Sequence, residues 1–350
     1  GRVVLVDHTS NYNGKYKILS ALITSQEAKQ YELLDVDLLI HIGELSGEYY
    51  TIQGINPARV WRVSSDGIIR DRFRRLECVF EMNPFDFFAE YIKNAKNTRN
   101  VNSYYSAWKE VYDNISQKIT ELPLSTLWVA SVLSKQIPDN SVLYLSILNV
   151  LRSWNFFEVR KNVKIIANVG GFGIDGMTST LLGASIVNPN NLFFGITGDL
   201  NFFYDLNVLG NRHLGSNVRL LLINNGHGQE FRTYKHSASV LGEGADEYIA
   251  AAGHFGNKSR ELVKSYVSSL GFTYLAASNK EDFINALSVF FNPNSKSSIV
   301  MEVFTDNEFE YQSLKIVRNL DKQSATQQMQ NLQKGELVKK GLSLIKKVIK

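Results

Sequence analysis

Two apolar runs limit what this chain can fold into. Leu192–Thr197 ends at Gly198-Asp199, and Val218–Ile223 ends at Asn224-Asn225, with a helical pattern over Phe202–His213 between them. Short runs that are apolar at most positions, with no alternation, read as strands buried on both faces, as in a parallel sheet. Parallel neighbours need a crossover, and a helix serves as one. The two strands therefore finish side by side, each presenting polar side chains at its carboxyl end. Open α/β sheets keep their ligands in that crevice. Gly198 has no side chain to hold a ligand off the backbone. The helix after Asp199 turns its unpaired N–H groups toward the same place, which suits an anion.

The same alternation runs through most of the sequence. Val163–Asn168 reads as a strand, followed by the turn Gly170-Gly171-Phe172-Gly173 and a helix over Thr178–Ile186. Helices near 244–252, 258–269 and 280–290, with strands near 272–276 and 298–304, complete a doubly wound sheet. Leu143–Leu148 reads equally as strand or helix. Earlier in the chain, Val3–Val6, Asp37–Gly43 and Arg59–Val63 look like buried parallel strands, with a helical pattern at 25–34 between them. The fold class is therefore α/β, with two doubly wound parallel-sheet domains. The expected division is a first α/β domain over 1–95, a helical linker over 96–121, a second α/β domain over 122–313, and a tail over 314–350. The end of the tail is basic and amphipathic: Leu337, Val338, Leu342, Ile345 and Ile349 share a helix face, with Lys339, Lys346, Lys347 and Lys350 elsewhere. Packing on its own domain or on a partner subunit is the first reading, and weak contact with an anionic membrane surface the second.

Charge and composition exclude several classes. The net charge is +4, from 38 basic and 34 acidic residues that are spread and not striped, and no nucleic-acid motif is present. Cys78 is the single cysteine, so an internal disulfide is impossible and a reducing, cytoplasmic setting is expected. No run of 18 apolar residues occurs, and the opening Gly1-Arg2-Val3-Val4-Leu5-Val6 reads as a strand, not a signal peptide. A start directly on a strand suggests a piece of a longer protein.

At the crevice, a carboxylate and an amide oxygen are hard donors that suit magnesium, which completes its octahedron with phosphate oxygens. Asp199 is the candidate charged ligand and Asn225 the amide ligand, with a backbone carbonyl near His227 as a third. A lone Gly-Asp or a lone Asn-Asn is mostly structural. The two together, each at a strand end with a helix between, point to a diphosphate–metal site.

The motifs around the crevice also resemble a known family. Gly198-Asp199 followed by Asn224-Asn225 resembles the signature of thiamine diphosphate enzymes. Gly198–Asn207 (GDLNFFYDLN) resembles the GDLSxxYDLN segment of 2-succinyl-5-enolpyruvyl-6-hydroxy-3-cyclohexene-1-carboxylate synthase, of menaquinone biosynthesis. Gly173–Thr180 (GIDGMTST) resembles its GIDGLLST turn, and Asn224-Asn225 through Gln229 and Phe231 resembles its NNxGGQIF. The resemblance covers the pyrophosphate-binding domain well and extends weakly over 1–95 as the central domain.

The resemblance implies a magnesium- and thiamine diphosphate-dependent transferase or lyase that decarboxylates a 2-oxoacid and joins it to an acceptor. It implies Asp199 and Asn225 at the metal, beside the carbonyl near His227 that the residues themselves offer. It implies Phe172, Gly173, Ile174, Gly198, Leu200, Asn201 and Asn224 at the cofactor, with Asn201 replacing a serine. Ile174 matches the bulky apolar residue that holds the cofactor bent, so that the cofactor deprotonates itself and becomes an electron sink. The family's pyrimidine-binding domain, which carries the activating glutamate, has no counterpart here, because Glu230 and Glu243 lie in the wrong domain. The chain alone is therefore expected to be inactive, and the complete protein to be a dimer or tetramer.

One departure concerns substrate. Val169 stands where the family has an arginine for a substrate carboxylate, and Phe172 replaces a serine. Asn149 and Arg152 are candidates for substrate binding, with Arg152 equally readable as a helix-surface residue. His227 and His236 lie in the loop after Asn225; His8 reads as a cap or surface residue; His213, His254, Ser185 and Ser237 have no motif partner. The competing readings are a scaffolding subunit that kept the fold, or a simple 2-oxoacid decarboxylase or carbon–carbon lyase.

Overall fold

The structure is a computed structural model that describes residues 2–27, 31–43, 49–94, 103–171, 173–232, 236–245 and 259–322. The first third of the chain runs β1 (Val4–Val6), β2 (Lys17–Leu19), α1 (Ala21–Thr24), β3 (Asp35–Val36), β4 (Leu39–Ile42), α2 (Tyr49–Gly54), β5 (Asn56–Pro57), β6 (Val60–Ser64), β7 (Leu76–Glu81), α3 (Pro84–Asn94) and α4 (Ser103–Ser116). The rest runs α5 (Thr126–Leu133), β8 (Val142–Leu145), α6 (Asn149–Trp154), β9 (Lys164–Ile166), α7 (Met177–Val187), β10 (Phe193–Gly198), α8 (Asp199–Tyr204) and β11 (Val218–Asn224). It closes with α9 (Arg260–Ser269), β12 (Thr273–Ala277), α10 (Lys280–Phe290), β13 (Ile299–Phe304) and α11 (Asn307–Val317).

The expected α/β class is what the chain adopts. Six parallel strands form one sheet in the order β12-β13-β11-β10-β8-β9, and β4-β6-β7 form a smaller parallel sheet. All seven residues of β11 are buried, Arg219 and Asn224 among them, as befits a strand covered on both faces. Helices cover both faces of the large sheet. On one face Leu221, Ile223, Met301 and Val303 pack with residues of α5, α6, α10 and α11. On the other, Leu220, Leu222 and Val300 pack with residues of α7, α8 and α9.

This arrangement fixes where the sheet can hold a ligand. From β8 the chain moves outward to β9, whereas from β10 it moves the opposite way to β11. Right-handed crossovers put the helices of these two moves on opposite faces. The carboxyl ends of β8 and β10 thus flank the topological switch point, where doubly wound sheets open a crevice. Gly198-Asp199 stands at that point.

Several expectations shift. The pattern at 25–34 forms no α-helix among its described residues; only a 3-10 turn at Glu32–Leu34 appears, because Tyr31 and Leu34 turn into the core. Strands β2 and β7 were not legible, one being three residues long and the other interrupted by glutamates. Leu143–Leu148 resolves as a strand and a turn. The helix expected over 202–213 begins earlier, at Asp199, and breaks at Asp205, whose carboxylate caps Ser179 from N at 3.2 Å and from Oγ at 3.1 Å. Of the helix near 244–252, the described part is 3-10 structure over Ser237–Ala245, kinked at Gly242. The tail beyond 322 lies outside the described residues. So do His254 and Phe172.

The early segment and the large sheet share a core. Ile18, Leu19, Leu22 and Ile23 join the cluster that holds Trp108 of α4 and Trp154 of α6. His8 is not a surface residue: it is 3% exposed, and its Nε2 lies 3.0 Å from both Trp154 O and Phe157 O. Burial pushes its pKa down. Among the described residues no helix is long and apolar enough to cross a membrane.

Candidate functional site

Asp199 opens α8 directly after β10 and is 3% exposed. Its Oδ1 accepts from Leu200 N at 2.8 Å and its Oδ2 from Gly226 N at 2.7 Å. Burial pushes its carboxyl up to about 6 against these stabilising hydrogen bonds and the nearby His227. A desolvated carboxylate held by backbone donors favours a cation alongside it.

The paired strand registers bring the asparagines to the same level. Gly198 pairs with Ile223, so Asp199 and Asn224 follow on the next rung. Alternation then separates the two asparagines. Asn224 shares a face with Leu220 and Leu222, and its Nδ2 donates to Glu302 Oε1 at 2.7 Å. Asn225 lies past the strand end and is half-buried; its Oδ1 accepts from His227 N at 3.2 Å. Gly226 follows with φ 79°, a left-handed turn that a side chain would strain. An ideal Cβ on Gly198 or Gly226 would meet no atom within 4 Å, so both backbones face open space.

The glycine-rich turn docks onto the same point. Gly176 has φ 80° and leads into α7. A Cβ on Gly173 would come within 2.4 Å of Asp175 Oδ1. Asn201 staples the turn to α8: its Nδ2 donates to Ile174 O, and its Oδ1 accepts from Thr197 Oγ1 at 2.7 Å. The Asn201 side chain is thus engaged within the protein at both ends. Ile174 and Leu200 are half-buried beside it. Val169 packs against the core.

His227 is half-buried, with Nδ1 at 2.8 Å from Asn307 Nδ2 and 3.2 Å from Asn225 O. His236 accepts from Ala238 N through Nδ1, and His213 is exposed. Ser185 donates to Leu182 O within its own helix.

The structure adds residues that the motifs left open. Arg152 is buried, not on a helix surface, and its Nη1 lies 2.5 Å from Glu230 Oε2. Arg152 follows β8 and Glu230 follows β11, while β10 lies between those strands. The ion pair therefore reaches across the strand end that carries Asp199. Nearby, Glu310 is buried and accepts from Thr126 N at 2.9 Å, Thr126 Oγ1 at 2.9 Å, Thr305 Oγ1 at 3.0 Å and the Asn149 side chain. Burial pushes it up to about 7. Leu148, before α6, has φ 65°, a strained value for a residue with a branched side chain.

Among the described residues no three His, Cys, Asp or Glu side chains cluster as a metal site. The candidate set is of another kind: one carboxylate, one amide oxygen and a carbonyl. Those hard oxygens, with a buried carboxylate among them, fit a magnesium ion that also takes diphosphate oxygens.

An all-parallel sheet covered on both faces, with an aspartate at its switch point and an asparagine pair on the neighbouring strand, defines a doubly wound α/β protein of the thiamine diphosphate-binding fold. Comparison with known proteins specifies the relationship. The chain is 30% identical over 260 residues to 2-succinyl-5-enolpyruvyl-6-hydroxy-3-cyclohexene-1-carboxylate synthase of Bacteroides thetaiotaomicron, covering 74% of this chain and 44% of that protein. It is 32% identical over 259 residues to the synthase of the same name from Phocaeicola vulgatus, covering 72% and 43%. With the Flavobacterium johnsoniae synthase it shares 28% over 313 residues, covering 87% and 54%. No family model matches the chain. The chain is thus a sequence relative of the 2-succinyl-5-enolpyruvyl-6-hydroxy-3-cyclohexene-1-carboxylate synthases, and it spans about half the length of the curated relatives it matches.

Proposed function

We propose that these residues supply the magnesium- and diphosphate-binding half of a thiamine diphosphate site, in a protein that decarboxylates a 2-oxoacid and forms a carbon–carbon bond. The observation that carries this reading is the buried Asp199 carboxylate at the switch point, bonded to Gly226 N on the far side of Asn225. Asp199 and Asn225 would hold the ion, and the backbone at Gly198 and Gly226 would let the diphosphate approach. When bound, thiamine diphosphate supplies the electron sink for decarboxylation. Ile174, on the turn that Asn201 fixes, would support the bent cofactor.

Complete catalysis needs a pyrimidine-binding domain to bring the activating carboxylate, so the activity belongs to the assembled protein. One departure from the family pattern concerns substrate: Val169 offers no charge to a substrate carboxylate, and Arg152, paired with Glu230, is a candidate for that contact.

Titration calorimetry with magnesium and thiamine diphosphate tests the reading, alone and with a pyrimidine-binding domain added. Cofactor binding that requires magnesium and tightens with the added domain is the expected result. No heat under either condition overturns it in favour of a scaffolding role.

A further inference from the structure

The two asparagines at the end of β11 have different surroundings, and the difference traces to Glu302. Glu302 is fully buried in β13 and accepts two hydrogen bonds of 2.7 Å, one from Asn224 Nδ2 and one from the Tyr274 hydroxyl of β12. It pairs with Leu222, two residues back from Asn224, and so lies on the same face of the sheet. A carboxylate in the centre of a sheet is costly to bury unless its oxygens are engaged. Here both are, and the chain Tyr274–Glu302–Asn224 ties three adjacent strands together beneath the crevice.

We propose that Glu302 is a positioning residue for the cation site, acting through Asn224. The pleat gives Asn224 its face of β11, and the grip of Glu302 on the amide fixes the conformation of that side chain. That grip also gives the turn from Asn225 to Gly226 one of its fixed points. Asn225 is thereby the asparagine left at the mouth, and Gly226 N is placed where it meets Asp199 Oδ2. Without that anchor the Asn224 side chain loses its partner, and the turn from Asn225 to Gly226 loses one of its fixed points. The backbone there pairs with Phe304 of β13, and Thr305 N donates to Asn224 O at 3.1 Å, so the strand end is fixed and the side chain is what Glu302 sets. Groups one layer behind a metal ligand commonly set its orientation in this way.

The inference rests on the metal and diphosphate reading above, and the experiment separates the two. Magnesium affinity is titrated in the presence of thiamine diphosphate for the full chain, Glu302→Ala, Glu302→Gln and Tyr274→Phe, with circular dichroism melts on each. The expected result is a loss of about tenfold or more in Glu302→Ala. Glu302→Gln keeps an acceptor for Asn224 and should hold near the wild-type affinity. Tyr274→Phe removes one of the two bonds on Glu302 and should weaken affinity by about threefold. A purely structural Glu302 would lower the melting temperature with no change in affinity, which overturns the inference alone. An unmodified chain that takes no magnesium overturns the functional reading, and the inference with it. If Glu302→Ala does not fold, Tyr274→Phe decides: wild-type affinity there sinks the positioning role.

Discussion

The carboxylate of Asp199 and the backbone N–H of Gly226 meet at 2.7 Å, joining the start of α8 to the loop after β11. One aspartate thus senses the geometry of both strand ends. The Asp199→Ala variant should lose magnesium-dependent binding of thiamine diphosphate while keeping its far-ultraviolet circular dichroism. Calorimetry checks it; unchanged affinity removes the metal assignment.

Two glycines flank that contact and should respond differently. Gly226 has φ 79°, so Gly226→Ala should cost about 1–2 kcal/mol, read as a lower urea midpoint. Gly198 has φ −82° and no atom near an added Cβ, so Gly198→Ala should leave the midpoint nearly unchanged. Both should weaken diphosphate binding, Gly226→Ala through the Asp199 contact and Gly198→Ala by intruding on the approach to the backbone.

The Arg152–Glu230 pair holds the loop after Asn225 against α6. Arg152→Met would leave the Glu230 carboxylate largely buried without its cation, a change that costs about 3 kcal/mol for a buried pair. Amide hydrogen exchange should speed up across 226–232 and stay unchanged in β12. Replacing both residues with methionine should restore much of the stability. Equal protection of the loop in wild type and Arg152→Met would show that the pair does not hold it.

Glu310 gives a pH signature. Its folded carboxyl is raised to about 7 from 4.5, so its protonated form is favoured by folding. The associated stability is present below the unfolded value and is lost as pH rises through about 7. At about 1.4 kcal/mol per pKa unit, the loss is on the order of 3 kcal/mol. Urea titrations at pH 5 and pH 8 should show the wild type losing more stability on going to pH 8 than Glu310→Gln does. Identical losses would mean that the carboxyl titrates normally.

Much of the site was legible before any coordinates. Buried parallel strands announce themselves by short, mostly apolar runs without alternation, and the structure places β10 and β11 within a residue of the expected bounds. Gly173, Ile174, Gly198, Asp199 and Asn225 could be singled out because turn chemistry and strand ends are local properties. Arg152 and His8 stay open between readings in the sequence because their burial depends on what packs over them. Arg152 meets a glutamate 78 positions away, and His8 meets carbonyls more than 140 positions away. Among the described residues of 25–34 the helical pattern gives way for the same reason: Tyr31 and Leu34 reach the core from a short 3-10 turn.

The sequence by itself determined the α/β class, the strands that carry Asp199 and Asn225, and the glycines that permit the turns. Each of these follows from side-chain periodicity and backbone freedom within a few residues. Only the tertiary structure decided that Asn224 is turned inward onto Glu302, that Asn201 is engaged as a staple, and that Arg152 and Glu230 close over β10. Those outcomes depend on which groups converge when distant strands take their order in the sheet. A buried polar atom is then bound by whichever partner comes within reach.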